Sequence, residues 1–119
     1  MTRSVLIVED EQLIRRLCAE VFDDAGFEVV EANDGDAALA ILGSGVPIDA
    51  IVTDIRMPGT VDGLALRRKV EQRWPNIKMI VTSGHMVVER TELSENHVFV
   101  PKPYQFLELV RQVENLLAP

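Results

Sequence analysis

Val5-Leu6-Ile7-Val8 runs directly into Glu9-Asp10-Glu11, and Ile48-Asp49-Ala50-Ile51-Val52-Thr53 runs into Asp54, with Met57-Pro58-Gly59 close behind. Each is a short, mostly apolar run closed by carboxylates. Such runs read as strands of a parallel sheet, buried on both faces. In that kind of sheet the carboxyl ends of neighbouring strands lie side by side. Glu9, Asp10 and Asp54 then converge on one small site. Like charges placed so close are costly unless a cation neutralises them. Three hard oxygen donors at a strand edge suit Mg²⁺, which keeps several waters and takes further ligands from phosphate.

The rest of the chain alternates in the same way. Strands are expected near residues 4–8, 27–32, 48–53, 77–82 and 97–100. Helices are expected near 11–24, 34–43, 63–73, 86–93 and 104–117. Strands separated by helices imply an α/β fold with right-handed crossovers. Leu13, Ile14, Leu17, Cys18, Val21 and Phe22 recur at helical spacing and make one apolar face, and Gly26 supplies a left-handed turn after it. Phe106, Val110, Val113 and Leu117 repeat the pattern in the last helix. The helix near 86–93 contains Val87-Val88 and Thr91 and is expected to be short or frayed.

Composition narrows the function. The chain has 119 residues, 47% of them hydrophobic, enough for one domain with one core. Its 19 acidic and 12 basic residues give a net charge of −7. That argues against direct nucleic-acid binding and against adhesion to an anionic membrane. No apolar stretch approaches the ~20 residues that span a bilayer, and Met1-Thr2-Arg3-Ser4 leads straight into a strand without a signal-peptide pattern. The lone Cys18 excludes an internal disulfide. A cytoplasmic domain is expected. Only Ala118-Pro119 follow the last helix, so a single stand-alone domain over 1–119 is expected as well.

Two further motifs lie at carboxyl strand ends. The fourth strand closes in Thr82-Ser83-Gly84 and the fifth is followed by Pro101-Lys102-Pro103. Acid pair, aspartate, hydroxyl and lysine now follow one another, each after its own strand. In this the chain strongly resembles the response-regulator receiver domain of two-component signalling, over essentially its whole length. The resemblance implies a flavodoxin-like, doubly wound five-stranded sheet of order 2-1-3-4-5 with five helices. It implies that Asp54 accepts a phosphoryl group from a histidine kinase or a histidine phosphotransfer protein. Glu9 and Asp10 match the acid pair that binds Mg²⁺, joined by an Asp54 oxygen and the backbone carbonyl of Arg56. Lys102 and Ser83 would each reach a phosphoryl oxygen. Lys102-Pro103 matches the family's cis peptide. Phe99 matches its aromatic switch residue, here without a hydroxyl. A downstream protein would bind the face made by the helix near 86–93, the fifth strand and the last helix. The domain would be a monomer or weak homodimer, and no enzyme beyond assisting its own phosphorylation and dephosphorylation.

The sequence departs from the family in three places. The loop from Met57 to Gly63 is one residue longer than usual, Ser83 to Lys102 is shorter, and the hydroxyl position is serine rather than the commoner threonine. Plainer readings stand beside the sharp ones. Glu9-Asp10-Glu11 could be an acidic helix start. Thr82 could take the hydroxyl role if the register slips by one; Gly84 favours Ser83. Phe99 could be plain core, Cys18 reads as helix core, His85 as a loop histidine and His97 as a strand-edge residue. Arg67, Arg68, Lys69 and Arg73 read as a solvated helix face. The first helix, with Leu13, Ile14 and Leu17 near the site, is the expected kinase-docking side, and charge reversal at Arg15 or Arg16 is expected to alter phosphotransfer. Other functions remain open at this point: a phosphorylation-independent interaction module, an aspartate-nucleophile phosphatase, or a flavin binder. The phosphatase would need an acid where Arg56 stands. The flavin binder would need a Gly/Ser/Thr-rich loop where Glu9-Asp10-Glu11 stands.

Overall fold

A computed structural model describes residues 2–57, 59, 61–83 and 96–118, with the backbone alone at Ser83. Its elements are β1 (Ser4–Val8), α1 (Gln12–Asp24), β2 (Glu28–Ala32), α2 (Gly35–Gly43), β3 (Ala50–Asp54), α3 (Gly63–Arg73), β4 (Lys78–Ser83), β5 (His97–Pro101) and α4 (Phe106–Leu117). All five strands are parallel, in the order β2-β1-β3-β4-β5. This is the expected doubly wound sheet. The helix expected near 86–93, with Gly84 and His85, lies outside the described residues, as do Pro58 and Thr60 in the long loop.

Alternation along the strands builds two cores. Val5, Ile7, Ala50, Val52 and Ile80 face α1 and α4, meeting Cys18, Phe22, Leu109, Val110 and Val113. Leu6, Val8, Ile51, Met79 and Val81 face α2 and α3, meeting Ala38, Leu42, Leu66 and Val70. Every residue of β1 is buried, because this strand is central and covered on both faces. Phe22 is fully buried and meets Phe27 edge to face at 5.4 Å.

Helix ends follow local chemistry. Asp34 and Asp62 cap α2 and α3, accepting from the N–H groups of Ala37 and Ala65 at 2.7 and 2.8 Å. Gly26 takes a φ of 95° after α1, as its position foretold, and Phe27 N–H closes the turn onto the Phe22 carbonyl at 3.1 Å.

Two expectations are corrected, for the α1 stripe and for Arg67, and His97 stands at the strand edge as expected but is buried. Leu13 and Leu17 lie on the outer side of α1, 72% and 43% exposed, so the buried stripe is narrower than the apolar spacing implied. Arg67 is not solvated. It is buried on α3, with Nη1 donating to Glu71 Oε2 at 2.7 Å, while Arg68 and Lys69 do face solvent. His97 starts the edge strand β5, yet its side chain is 3% exposed. Its Nδ1 has no hydrogen-bond partner among the described residues.

Burial pushes the His97 pKa down; the Arg67 and Lys78 charges add to this, and Glu71 opposes it. The unfolded chain therefore binds the proton more readily. The neutral ring's contribution to stability is present above the ordinary value of 6.5 and is lost as pH falls below it. Between about pH 7.5 and about pH 5, the wild type should lose more of its urea midpoint than His97→Gln. Parallel losses in the two proteins would remove His97 from the account.

Candidate functional site

The sheet order reverses between β1 and β3, and ligands of open α/β sheets gather outside the carboxyl ends at such a switch point. Val8 pairs with Thr53 there, so Glu9 and Asp10 leave β1 beside Asp54, the last residue of β3. Asp54 pairs with Thr82 on β4, and Pro101 ends β5 with Lys102 just beyond it. Three strand ends thus bring Glu9, Asp10, Asp54 and Lys102 to one edge, and the backbone of Ser83 ends β4 beside them.

Asp54 and Lys102 meet directly. Lys102 Nζ donates to Asp54 Oδ2 at 2.6 Å. Desolvation works against the Lys102 charge, but the hydrogen bond and charge of Asp54 outweigh it, and the net shift is upward. The ammonium is therefore held charged. Arg56 N–H lies 3.4 Å from Asp54 Oδ1 and the Arg56 residue is exposed. Lys102-Pro103 is cis, as the resemblance implied. Tyr104 follows, half-buried, and with Glu9, Cys18, Asp54 and Thr82 lines a cavity of about 10 Å³ beneath the site.

Glu9 is the buried member of the acid pair, 8% exposed, whereas Asp10 is exposed. Burial chiefly raises the Glu9 pKa to about 7, helped by a hydrogen bond to Asp10 and by the charges of Asp10 and Asp54, against the Glu11 N–H. Among the described residues no three His, Cys, Asp or Glu side chains stand close enough to grip a metal ion. Asp54 turns to Lys102, and Glu9 Oε2 accepts from Glu11 N–H at 3.1 Å. The donor set nevertheless fits a divalent cation: every side-chain donor is a hard oxygen, and the charges of Asp10 and Asp54 add to the cost of ionising Glu9.

Thr82 is fully buried, with Oγ1 donating to the Thr53 carbonyl at 3.4 Å, which ties its hydroxyl within the sheet. The Ser83 side chain lies outside the described atoms. Phe99 is half-buried and packs against the core under α2 and α3. Cys18 is buried in the other core, its thiol pushed up to about 12 by burial and then by the Glu9 charge, which suits an inert core residue.

Sequence reasoning missed the glycines that seat the site. A methyl at Gly63 would collide with the Asp54 carbonyl oxygen and lie 2.7 Å from Ile55 Cα. Gly63 N–H donates to the Ile55 carbonyl at 2.8 Å, so α3 starts directly on the backbone of Asp54-Ile55. Gly35 allows α2 the same approach to Val61. Asp62-Gly63 reads as a helix start, but the strand behind it is visible only in three dimensions. The sequence did not separate Arg15 from its neighbour Arg16. The Arg15 side chain is 14% exposed and turned inward, while Arg16 is 64% exposed.

A switch-point aspartate gripped by a lysine, in a sheet of this order, defines the receiver class of signalling domain. A family model described as response regulator receiver domain matches residues 5–114, and the chain belongs to that family. It is 32% identical over 117 residues to the DNA-binding transcriptional regulator NtrC of Salmonella typhimurium, covering 96% of this chain and 24% of that protein. The chain thus spans about a quarter of the length of that relative. A response regulator receiver protein from Sinorhizobium medicae superposes with a TM-score of 0.89 at 30% identity, covering 98% of this chain and 94% of the other. Response regulator TrrA of Thermotoga maritima, solved in complex with Mg(2+)-BeF, gives 0.82 at 30% identity, over 98% and all of the respective chains. The chain is a receiver domain of two-component response regulators, a family that typically binds Mg²⁺ and is generally non-enzymatic. Among the described residues no helix is long and apolar enough to cross a membrane.

Gly63→Ala should cost ~1–3 kcal/mol or more, because neither partner of the collision is a flexible side chain. Gly43→Ala, where nothing lies within 4 Å, should be neutral or stabilising. Urea denaturation of both variants checks this; equal stabilities would contradict the seating of α3 on Asp54.

Proposed function

We propose that residues 1–119 form one receiver domain acting as a phosphoacceptor switch, with Asp54 taking a phosphoryl group from a histidine kinase or histidine phosphotransfer protein. The 2.6 Å contact between Lys102 Nζ and Asp54 Oδ2 carries this reading, because it sets a fixed cation beside a candidate nucleophile at the switch point. An Asp54 oxygen attacks phosphorus; the new O–P bond forms as the P–N bond to the donor histidine breaks. Lys102 then exchanges the Asp54 carboxylate for a phosphoryl oxygen. Ser83 donates its hydroxyl to another. Glu9 and Asp10, with Asp54 and the Arg56 carbonyl, would hold Mg²⁺, which when bound neutralises charge on the phosphoryl oxygens.

Drawing Ser83 and Lys102 toward phosphate biases β4 and β5 between two packed states. Phe99 lies on β5 at half-burial and supports a switch role there. The downstream protein binds the face of residues 86–93, β5 and α4, and the domain works in the cytoplasm as a monomer or weak homodimer. Exposed Leu13 and Leu17 on α1 and Leu107 on the neighbouring α4 support docking of the phosphodonor on that side.

Intact mass after incubation with Mg²⁺ and acetyl phosphate should show one added phosphoryl group in the wild type and none in Asp54→Asn. No addition to the wild type from either acetyl phosphate or a kinase donor would overturn the reading. A second expectation concerns the cation. Because the folded Glu9 pKa is raised from 4.5 to about 7, its contribution to stability is full below 4.5 and lost as pH rises through 7. Mg²⁺ takes the proton's place, so it should raise the urea midpoint more at about pH 8 than at about pH 5. Equal gains at both would speak against Glu9 as a ligand.

A further inference from the structure

Arg15 stands in the opening turn of α1, where its side chain folds back over the start of the helix. Nη1 donates to the Glu9 carbonyl at 3.0 Å and Nε to Glu31 Oε1 at 3.1 Å. The Glu9 carbonyl belongs to the peptide unit that links Glu9 to Asp10. A peptide unit is planar, so holding its oxygen fixes the plane that joins the two acids. The preceding plane is held as well: Glu9 N–H donates to the Ala32 carbonyl at 3.1 Å. Both soft torsions leading into the acid pair are thus set from outside, one by β2 and one by Arg15.

Helix stability alone gives no reason for this arrangement. A cation near a helix N-terminus faces the positive end of the dipole, which disfavours it. The N-cap Glu11 makes no side-chain hydrogen bond that would offset this. Glu31 does offset it: it accepts from Arg15 and has Arg16 Nε at 3.7 Å. Glu31 also holds the guanidinium charge in a local pair, which lessens its repulsion of a cation bound by Glu9 and Asp10.

We infer that Arg15 and Glu31 form a positioning clamp, Arg15 orienting the Glu9–Asp10 peptide unit for divalent-cation binding and Glu31 aiming and neutralising Arg15. The inference rests on the reading of Glu9 and Asp10 as cation ligands. Arg15 is a positioning residue: it acts through the main chain and touches no reacting atom. Its guanidinium makes two bonds in a fixed fork, which a lysine ammonium on a single stem cannot reproduce.

Calorimetric titration of the whole chain with Mg²⁺ alone tests it. Arg15→Ala and Glu31→Gln should each weaken Mg²⁺ affinity about 10-fold or more, the scale typical of residues that orient metal ligands. Arg15→Lys should recover little, and the exposed Arg68→Ala should bind as the wild type does. Labelling by acetyl phosphate should need more Mg²⁺ in Arg15→Ala yet reach the wild-type level at saturation. An affinity within about twofold of wild type in both Arg15→Ala and Glu31→Gln overturns the clamp, whatever happens to their melting temperatures. If Arg15→Ala fails to fold, Glu31→Gln, at a partly exposed position, decides alone. A wild type that binds no Mg²⁺ overturns the cation-site reading and the clamp together; a wild type that binds, with variants unchanged, overturns only the clamp.

Discussion

Carboxylates crowded at the end of a sheet repel one another, and the site is organised by how that repulsion is met. Lys102 meets it at Asp54, across a 2.6 Å hydrogen bond. Glu9, chiefly because it is buried and further because Asp10 and Asp54 stand near, binds a proton more tightly than an ordinary glutamate. The sheet cannot relax the strain by moving apart, because β1 and β3 are central strands buried on both sides. Charge is thus stored at a fixed place, and whatever neutralises it is bound by the same force that the fold withstands.

The backbone around these charges is held more firmly than their side chains. Gly63 lets α3 rest on the Asp54-Ile55 main chain, and Gly35 lets α2 rest on Val61. Thr53 Oγ1 donates to the Asp54 carbonyl at 3.0 Å, and Ile55 N–H donates to the Thr82 carbonyl at 3.0 Å. Arg15 does the same for the Glu9 carbonyl. The peptide units beneath the carboxylates are thus fixed by partners that the carboxylates themselves do not use.

Most of the fold was legible because it rests on periodicity. Apolar runs and helical spacing located the nine elements of the described residues and a parallel sheet, while the order of its strands came from the family resemblance. What stayed hidden depends on contacts distant in sequence. Leu13 and Leu17 share a helical spacing with Cys18, but the width of the sheet decides which of them is covered. Arg67 looks like one of a solvated run, yet it is buried and holds Glu71. Arg15 and Arg16 are adjacent and chemically identical; only the placement of Glu31 and of the Glu9 carbonyl tells them apart. In the site, Lys102 was legible by its flanking prolines, whereas Gly63 gave no signal beyond a helix start.

The helix that begins against Asp54 ends at the chain's single tryptophan. Over the 11 residues of α3 that is a rod of ~16 Å. Trp74 forms its C-cap, half-buried, with the Arg73 guanidinium 4.5 Å above the indole. A guanidinium at that range changes the electric field felt by the ring. The protein therefore carries an intrinsic optical probe coupled to its reactive end through one rigid element. Displacement of the Asp54-Ile55 backbone would tilt the rod and move Trp74 against the core it packs on, shifting its emission, whereas exchange of partners among the carboxylates alone would leave the emission unchanged. The colour of one residue at the far pole separates movement of the scaffold from redistribution of charge.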